Sequence, residues 1–195
     1  MDAMVMDTTS WLMLAAALII AALAVLGVMM YHRQQSRRLR ERFGPEYTQA
    51  ISAHGRHKGE AELKQREKRV KGLRIVPLPA SEAASFSHAW KTLQSRFVDS
   101  PQGVVAEADR LVRDLMQRRG YPMADFEHRA ADLSVDHAAV VGHYRAARLI
   151  AQRDERGEAD TEDLRKAVVH YRALFEELCE AEEPRRTHDA RPAHS

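Results

Sequence analysis

The chain has a single cysteine, Cys179, so no intrachain disulfide framework can support its core. Common chemical signatures are also missing. There is no G-x-x-x-x-G-K-S/T loop, no G-x-G-x-x-G turn, no H-E-x-x-H helix, no G-x-S-x-G elbow and no C-x-x-C pair. Their absence removes the usual nucleotide-binding, zinc-peptidase, serine-hydrolase and thiol-redox readings, and no cofactor or enzymatic activity is expected. Aromatic residues make up 6% of the chain. Charge of one sign is lacking overall, because 30 Lys and Arg stand against 28 Asp and Glu for a net of +2. With 45% hydrophobic and 30% charged residues the composition is globular, which excludes a collagen-like or wholly disordered chain. A length of 195 residues allows one ordinary domain plus extra segments, and not two large domains.

One feature is plainly present. From Trp11 to Met30 no residue is charged, proline or strongly polar. Twenty such residues make a helix of about 30 Å, the thickness of the hydrocarbon core, and the sequence predicts a transmembrane helix over 11–31. Trp11 and Tyr31 bracket it as interfacial aromatics. Residues 1–10 carry Asp2 and Asp7 and no Lys or Arg, whereas Arg33, Arg37, Arg38, Arg40 and Arg42 follow the span. The positive-inside rule therefore places a short N-terminus outside and the remainder in the cytoplasm, with those five arginines against anionic lipid headgroups. The competing reading is a cleaved secretory signal, for which Ala22-Leu23-Ala24 fits a cleavage site, giving a secreted or periplasmic protein. The missing basic n-region speaks against it.

The near-zero net charge hides a division. Residues 32–74 hold 13 Lys and Arg against 5 acidic residues, a net of +8, while everything after Arg74 has a net of −4. Gly44-Pro45 reads as a hinge, with Gly44 at a helix C′ position and Pro45 in the first turn of the next helix. A short helix over 45–53, a break near His54-Gly55 and a charged helix over 59–71 should follow. Leu63, Val70 and Leu73 make too thin an apolar stripe for an independent core. These residues read as a solvated, lipid-facing stalk. A coiled coil fails on length, and nucleic acid is not an expected partner, because no recognised binding motif accompanies the charge. Ile75-Val76-Pro77-Leu78-Pro79 then predicts an extended connector over 75–80.

From Ser81 onward the period is helical, and 81–180 reads as a compact bundle of four main helices and a shorter crossing one. Phe86, Trp90, Leu93 and Phe97 stripe the first helix, opened by a Ser81 cap, and read as core. Pro101 opens the second, which ends at Gly120. A short helix over 124–133 precedes a long one capped by Ser134, with Asp136 as an anion in its first turn. Asp160 or Thr161 caps the last, striped by Leu164, Val168, Tyr171, Phe175 and Leu178. Residues 181–195 have no periodicity and predict a disordered tail. The fold class is all-α: a transmembrane helix, a charged helical stalk and a four- to five-helix bundle.

Two groupings invite a chemical reading. Ser134, Asp136 and His137 hold the residue types of a nucleophilic triad, but triad members come from separate elements, and capping explains them better. No histidine or carboxylate spacing makes a dedicated metal cage. His143-Tyr144-Arg145 recurs as His170-Tyr171-Arg172, 27 residues later. If both sets converged they could hold a small anion, with Arg giving the forked contact. The plainer reading makes both tyrosines core residues flanked by surface His and Arg.

Arg42-Phe43-Gly44-Pro45-Glu46-Tyr47, Arg66-Glu67-Lys68-Arg69-Val70, Arg96-Phe97-Val98-Asp99, Arg118-Arg119-Gly120-Tyr121-Pro122, the 130–137 stretch and the 170–175 stretch together resemble a bacterial family of single-pass membrane-anchored proteins with a C-terminal helical domain. The resemblance implies bacterial origin and one anchor, and brings no activity with it. The expectation is therefore an inner-membrane protein whose cytoplasmic helical domain binds another protein as an interaction or scaffolding module. A second copy of the chain, meeting the Trp90 or Phe175 face, is a further candidate partner. The alternative is a membrane-tethered sensor or enzyme for a small anion, using the paired His-Tyr-Arg sets.

Overall fold

The computed structural model describes residues 8–180, and the proposed extracytoplasmic N-terminus and disordered tail fall largely outside them. All described elements are helices: α1 (Thr8–Phe43), α2 (Pro45–Lys71), α3 (Ala80–Ser95), α4 (Pro101–Arg118), α5 (Phe126–Asp136), α6 (Ala138–Glu155) and α7 (Thr161–Cys179). The protein is all-α.

Helix α1 runs unbroken for 36 residues. Its apolar part, from Trp11 to Tyr31, touches no other element and is exposed throughout. By length and composition it is able to cross a membrane, with a mean hydropathy of 2.8 over its most apolar window. Its last three turns behave differently. Leu39 and Phe43 are buried, one helical turn apart, and close a small core with Tyr47, Ala50, Leu63, Val70 and Val135.

That core corrects the stalk. Gly44 takes φ +47° and ψ −121°, a conformation open to glycine, and turns the chain back on itself. Gly55, with φ 74° and ψ 164°, then divides α2 into two antiparallel limbs. The limbs close on each other where Gly59 meets Ala50: a Cβ at Gly59 would lie 2.8 Å from the Ala50 carbonyl oxygen. Leu63 and Val70 alone are a thin stripe, as their spacing says, but α1 and α5 supply the other sides of the core. The stripe was insufficient only for a segment standing by itself.

The larger core lies among α3, α4, α5, α6 and α7, with α6 against α7 and α4 against α7 as its most extensive interfaces. Trp90 stacks on Phe175 at 4.8 Å, both inside this core. The two aromatic faces considered for self-association are therefore used within the chain. The connector is extended, and it is stitched down rather than loose. Val76 N–H donates to the Arg119 carbonyl at 2.9 Å, Leu78 enters the main core, and Ile75 packs against both cores. Gly120, with φ +94°, makes room for it, since a Cβ there would collide with the Arg74 carbonyl.

Two caps and one first-turn charge differ from expectation. Ser81 lies inside α3, which starts after Pro79 without a side-chain cap. Ser134 lies within α5, buried, donating to the Ala131 carbonyl at 2.6 Å, so α5 extends to Asp136 and α6 begins at Ala138. Asp136 is accordingly a last-turn residue, where a carboxylate opposes the helix dipole. Its compensation is Arg42, 3.0 Å away. At the end of the chain Asp160 does cap α7, accepting from the Asp163 N–H at 2.7 Å. Asp125 does the same for α5 from His128.

Candidate functional site

The repeated sets sit on α6 and α7, which lie side by side, and they meet only at their histidines. The Nδ1 atoms of His143 and His170 are 2.9 Å apart, so one ring donates and the other accepts. Tyr144 and Tyr171 are both fully buried in the main core. Their hydroxyls reach different partners: Arg129 Nε donates to Tyr144 at 3.2 Å, and Tyr171 donates to Asp109 at 3.0 Å. Burial raises the pKa of both phenols, opposed at Tyr144 by Arg129 and reinforced at Tyr171 by the Asp109 charge.

The arginines separate completely. Arg145 pairs with Glu127 at 2.7 Å and with Glu46 at 3.3 Å. Burial works against its charge, but hydrogen bonds to those two carboxylates outweigh it and raise its pKa. Arg172 instead pairs along its own helix with Glu176 at 2.7 Å, in solvent. An anion site needs both guanidinium groups free and aimed at one space. Each is committed to a separate carboxylate, so the two sets form a core pair of tyrosines and a surface pair of histidines.

The histidine pair has a pH signature. Burial, and then the neighbouring His143, lower the pKa of His170 from its ordinary 6.5. The folded chain thus binds fewer protons there than the unfolded one, and the associated stability is complete above about pH 6.5 and is lost as the pH falls through the lower folded value. Melting temperature should fall on acidification from about pH 7.5 to about pH 5.5, and His170→Gln should flatten that part of the profile. An unchanged slope in the variant would remove the pair as its origin.

The triad types are dispersed as well. Ser134 bonds its own helix, Asp136 faces Arg42, and His137 Nδ1 lies 2.8 Å from Glu177. Among the described residues no group of three or more His, Cys, Asp or Glu could hold a metal ion.

What the chain builds instead is a polar groove of about 370 Å³, where both limbs of α2 face α5 and α6. At its base Glu46, only 5% exposed, accepts from Arg66 at 3.4 Å and from Arg145. Arg66 also holds Glu62 and reaches the Ser134 hydroxyl at 3.4 Å. One turn along α2, Arg69 pairs with buried Asp132 at 2.6 Å. At the rear Arg42 donates to the Val135 carbonyl and to Asp136, both at 3.0 Å, and lies 3.4 Å from Glu67. Arg42 and Arg69 of the basic segment thus pair with carboxylates of α5, and Arg145 of α6 pairs with Glu46. Every charged group at the base of this groove is already paired, so its chemistry is that of a clasp.

Among the five arginines assigned to lipid headgroups, Arg42 is spent in the clasp and Arg40 lies over the Tyr47 ring, 5.4 Å from its centroid. Both contacts follow from the return of α2 alongside α1. Arg33, Arg37 and Arg38 are exposed and make no ion pair within the described chain. Glu46 was legible in sequence only as part of a hinge. No local pattern announces a carboxylate whose partners are 20 and 99 positions away. No family model, curated protein or solved structure matches this chain.

Proposed function

We propose that the chain is a single-pass bacterial inner-membrane protein, N-terminus outside, whose cytoplasmic helical domain is an interaction or scaffolding module held at fixed orientation to the bilayer. The observation that carries this reading is the double character of α1. From Trp11 to Met30 it offers only apolar side chains to its surroundings, and its last turns bury Leu39 and Phe43 in the domain. A cleaved signal does not need its downstream turns built into a core.

A domain fixed to its anchor presents the same surface at the same height on every copy, which suits a scaffold. Away from α1, the large apolar side chains left exposed include Leu149 on α6 and Val169 on α7. These are the positions from which a partner would be sought.

Protease added to intact spheroplasts should leave the domain whole, and lysis should expose it, with the chain remaining in the carbonate-washed membrane fraction. Photo-crosslinkers at Leu149 and Val169, in native membranes, should then capture one protein in common, while one at Val98 does not. Digestion from outside would reverse the orientation, recovery in the soluble fraction would remove the anchor, and uncrosslinked monomer at both positions would remove the scaffold.

A further inference from the structure

We propose that the tip of the α2 hairpin, residues 54–58, is a second membrane contact that takes the headgroups of anionic phospholipids, an inference that rests on α1 spanning the bilayer. Contacts along α1 fix the direction of both limbs. The first limb leaves Gly44 and runs back toward the apolar segment, with Tyr47 donating to Glu60 at 2.9 Å and Ala50 packed on Gly59. The second limb runs the opposite way, alongside α1. Its start meets Ser36, which donates to Glu60 at 2.7 Å and accepts from Arg56 at 3.1 Å, and further on Arg42 reaches Glu67. The chain therefore reverses at Gly55, at the level of Ser36, on the side nearest the membrane.

That level matters. Ser36 lies five residues beyond Tyr31, about 7.5 Å along the helix axis, and the headgroup layer is about 5–7 Å deep on each side of the hydrocarbon core. Long side chains at the tip span the difference. His54, Arg56, His57 and Lys58 are all exposed there, beside exposed Arg33, Arg37 and Arg38 of α1. The nearby carboxylates take up two of them, Arg56 pairing with Glu60 and His54 with Glu62, and leave Lys58 and the three α1 arginines without an ion pair among the described residues. Glu60 accepts from Ser36, Tyr47 and Arg56, and those bonds offset its burial and lower its pKa, while Glu62 is held by His54 and Arg66. Lys68 and Lys71 lie at the other end of the limb, about 20 Å from the tip and beyond the range of a screened surface potential. The hairpin thus presents its cations at headgroup height, and a patch elsewhere on α2 would not serve.

The test uses the full-length chain in lipid nanodiscs, in a Cys179→Ser background, with a fluorophore on Ala53→Cys and a nitroxide quencher on lipid headgroups. In discs containing phosphatidylglycerol the label should be quenched, and in phosphatidylcholine alone much less. Lys58→Gln should weaken the contact equilibrium about five-fold, and Arg56→Gln with Lys58→Gln about 25-fold. Lys68→Gln with Lys71→Gln should leave it unchanged. Because Arg56 also bonds within the hairpin, the exposed Lys58 variant is the one free of a folding effect. Equal quenching in both lipids, or quenching no greater than for a label on Val98→Cys, would overturn the contact. A label on Ile20→Cys with an acyl-chain quencher reads the span separately. If it is quenched and Ala53→Cys is not, the hairpin contact alone fails, and if neither is quenched the span reading fails with it.

Discussion

Phe43→Ala should detach the hairpin from α1 while leaving the main bundle folded. Phe43 is 0% exposed and is the largest side chain of the small core after Tyr47. Truncating a buried Phe costs about 4 kcal/mol, through lost transfer free energy and the cavity left behind. The two cores share only Ile75, so that cost falls on the local opening of α2 rather than on global unfolding. Hydrogen exchange should show amides of α2 losing about a thousand-fold in protection, while α4 and α7 keep theirs. Uniform loss across all helices would mean that the two cores unfold as one unit. No change would mean that Phe43 is not what holds α1 to the domain.

Glu46→Gln should be nearly as damaging, for an electrostatic reason. The carboxylate lies under Arg66 and Arg145, whose side chains are 12% and 22% exposed, and it joins α2 to α6 across 99 positions of sequence. Removing its charge leaves two guanidinium groups facing each other over a neutral amide. Breaking a buried pair in this way costs about 3 kcal/mol, at the low end because Glu62 and Glu127 still attend the two arginines, and should lower the melting temperature by about 9 °C. Glu158→Gln, at an exposed pair with Arg156, is the matched control and should melt like the parent. Equal melting of both variants would show that the clasp does not bear on stability.

The helices were legible because their signals are local. Gly44, Gly55 and Gly120 mark real reversals, all at positive φ, and the Trp90, Leu93 and Phe175 stripes do face the main core. The caps were less legible. Ser134 followed three residues behind Ala131 allows either an N-cap or a bond back into its own helix, and only the burial of Ser134 and Val135 against α2 decides between them. The stalk was misread for a deeper reason. A segment with net charge +8 looks solvated when read alone, and the sequence does not show that Asp132 and Asp136 of α5 meet Arg69 and Arg42, or that Arg145 of α6 reaches Glu46. The paired His-Tyr-Arg sets show the converse. Their repetition reflects two neighbouring helices with the same buried tyrosine register, and convergence reaches only the histidines.

The central claim is that α1 and the domain form one body. Double electron–electron resonance on the full-length chain in nanodiscs tests it directly, with spin labels on Gln34→Cys of α1 and Gln152→Cys of α6 in a Cys179→Ser background. Both positions are exposed. A single narrow distance distribution, broadened by Phe43→Ala, is the expected result. A broad distribution in the parent chain would mean that residues 32–74 are a flexible tether, and the fixed presentation of the domain would be lost with it.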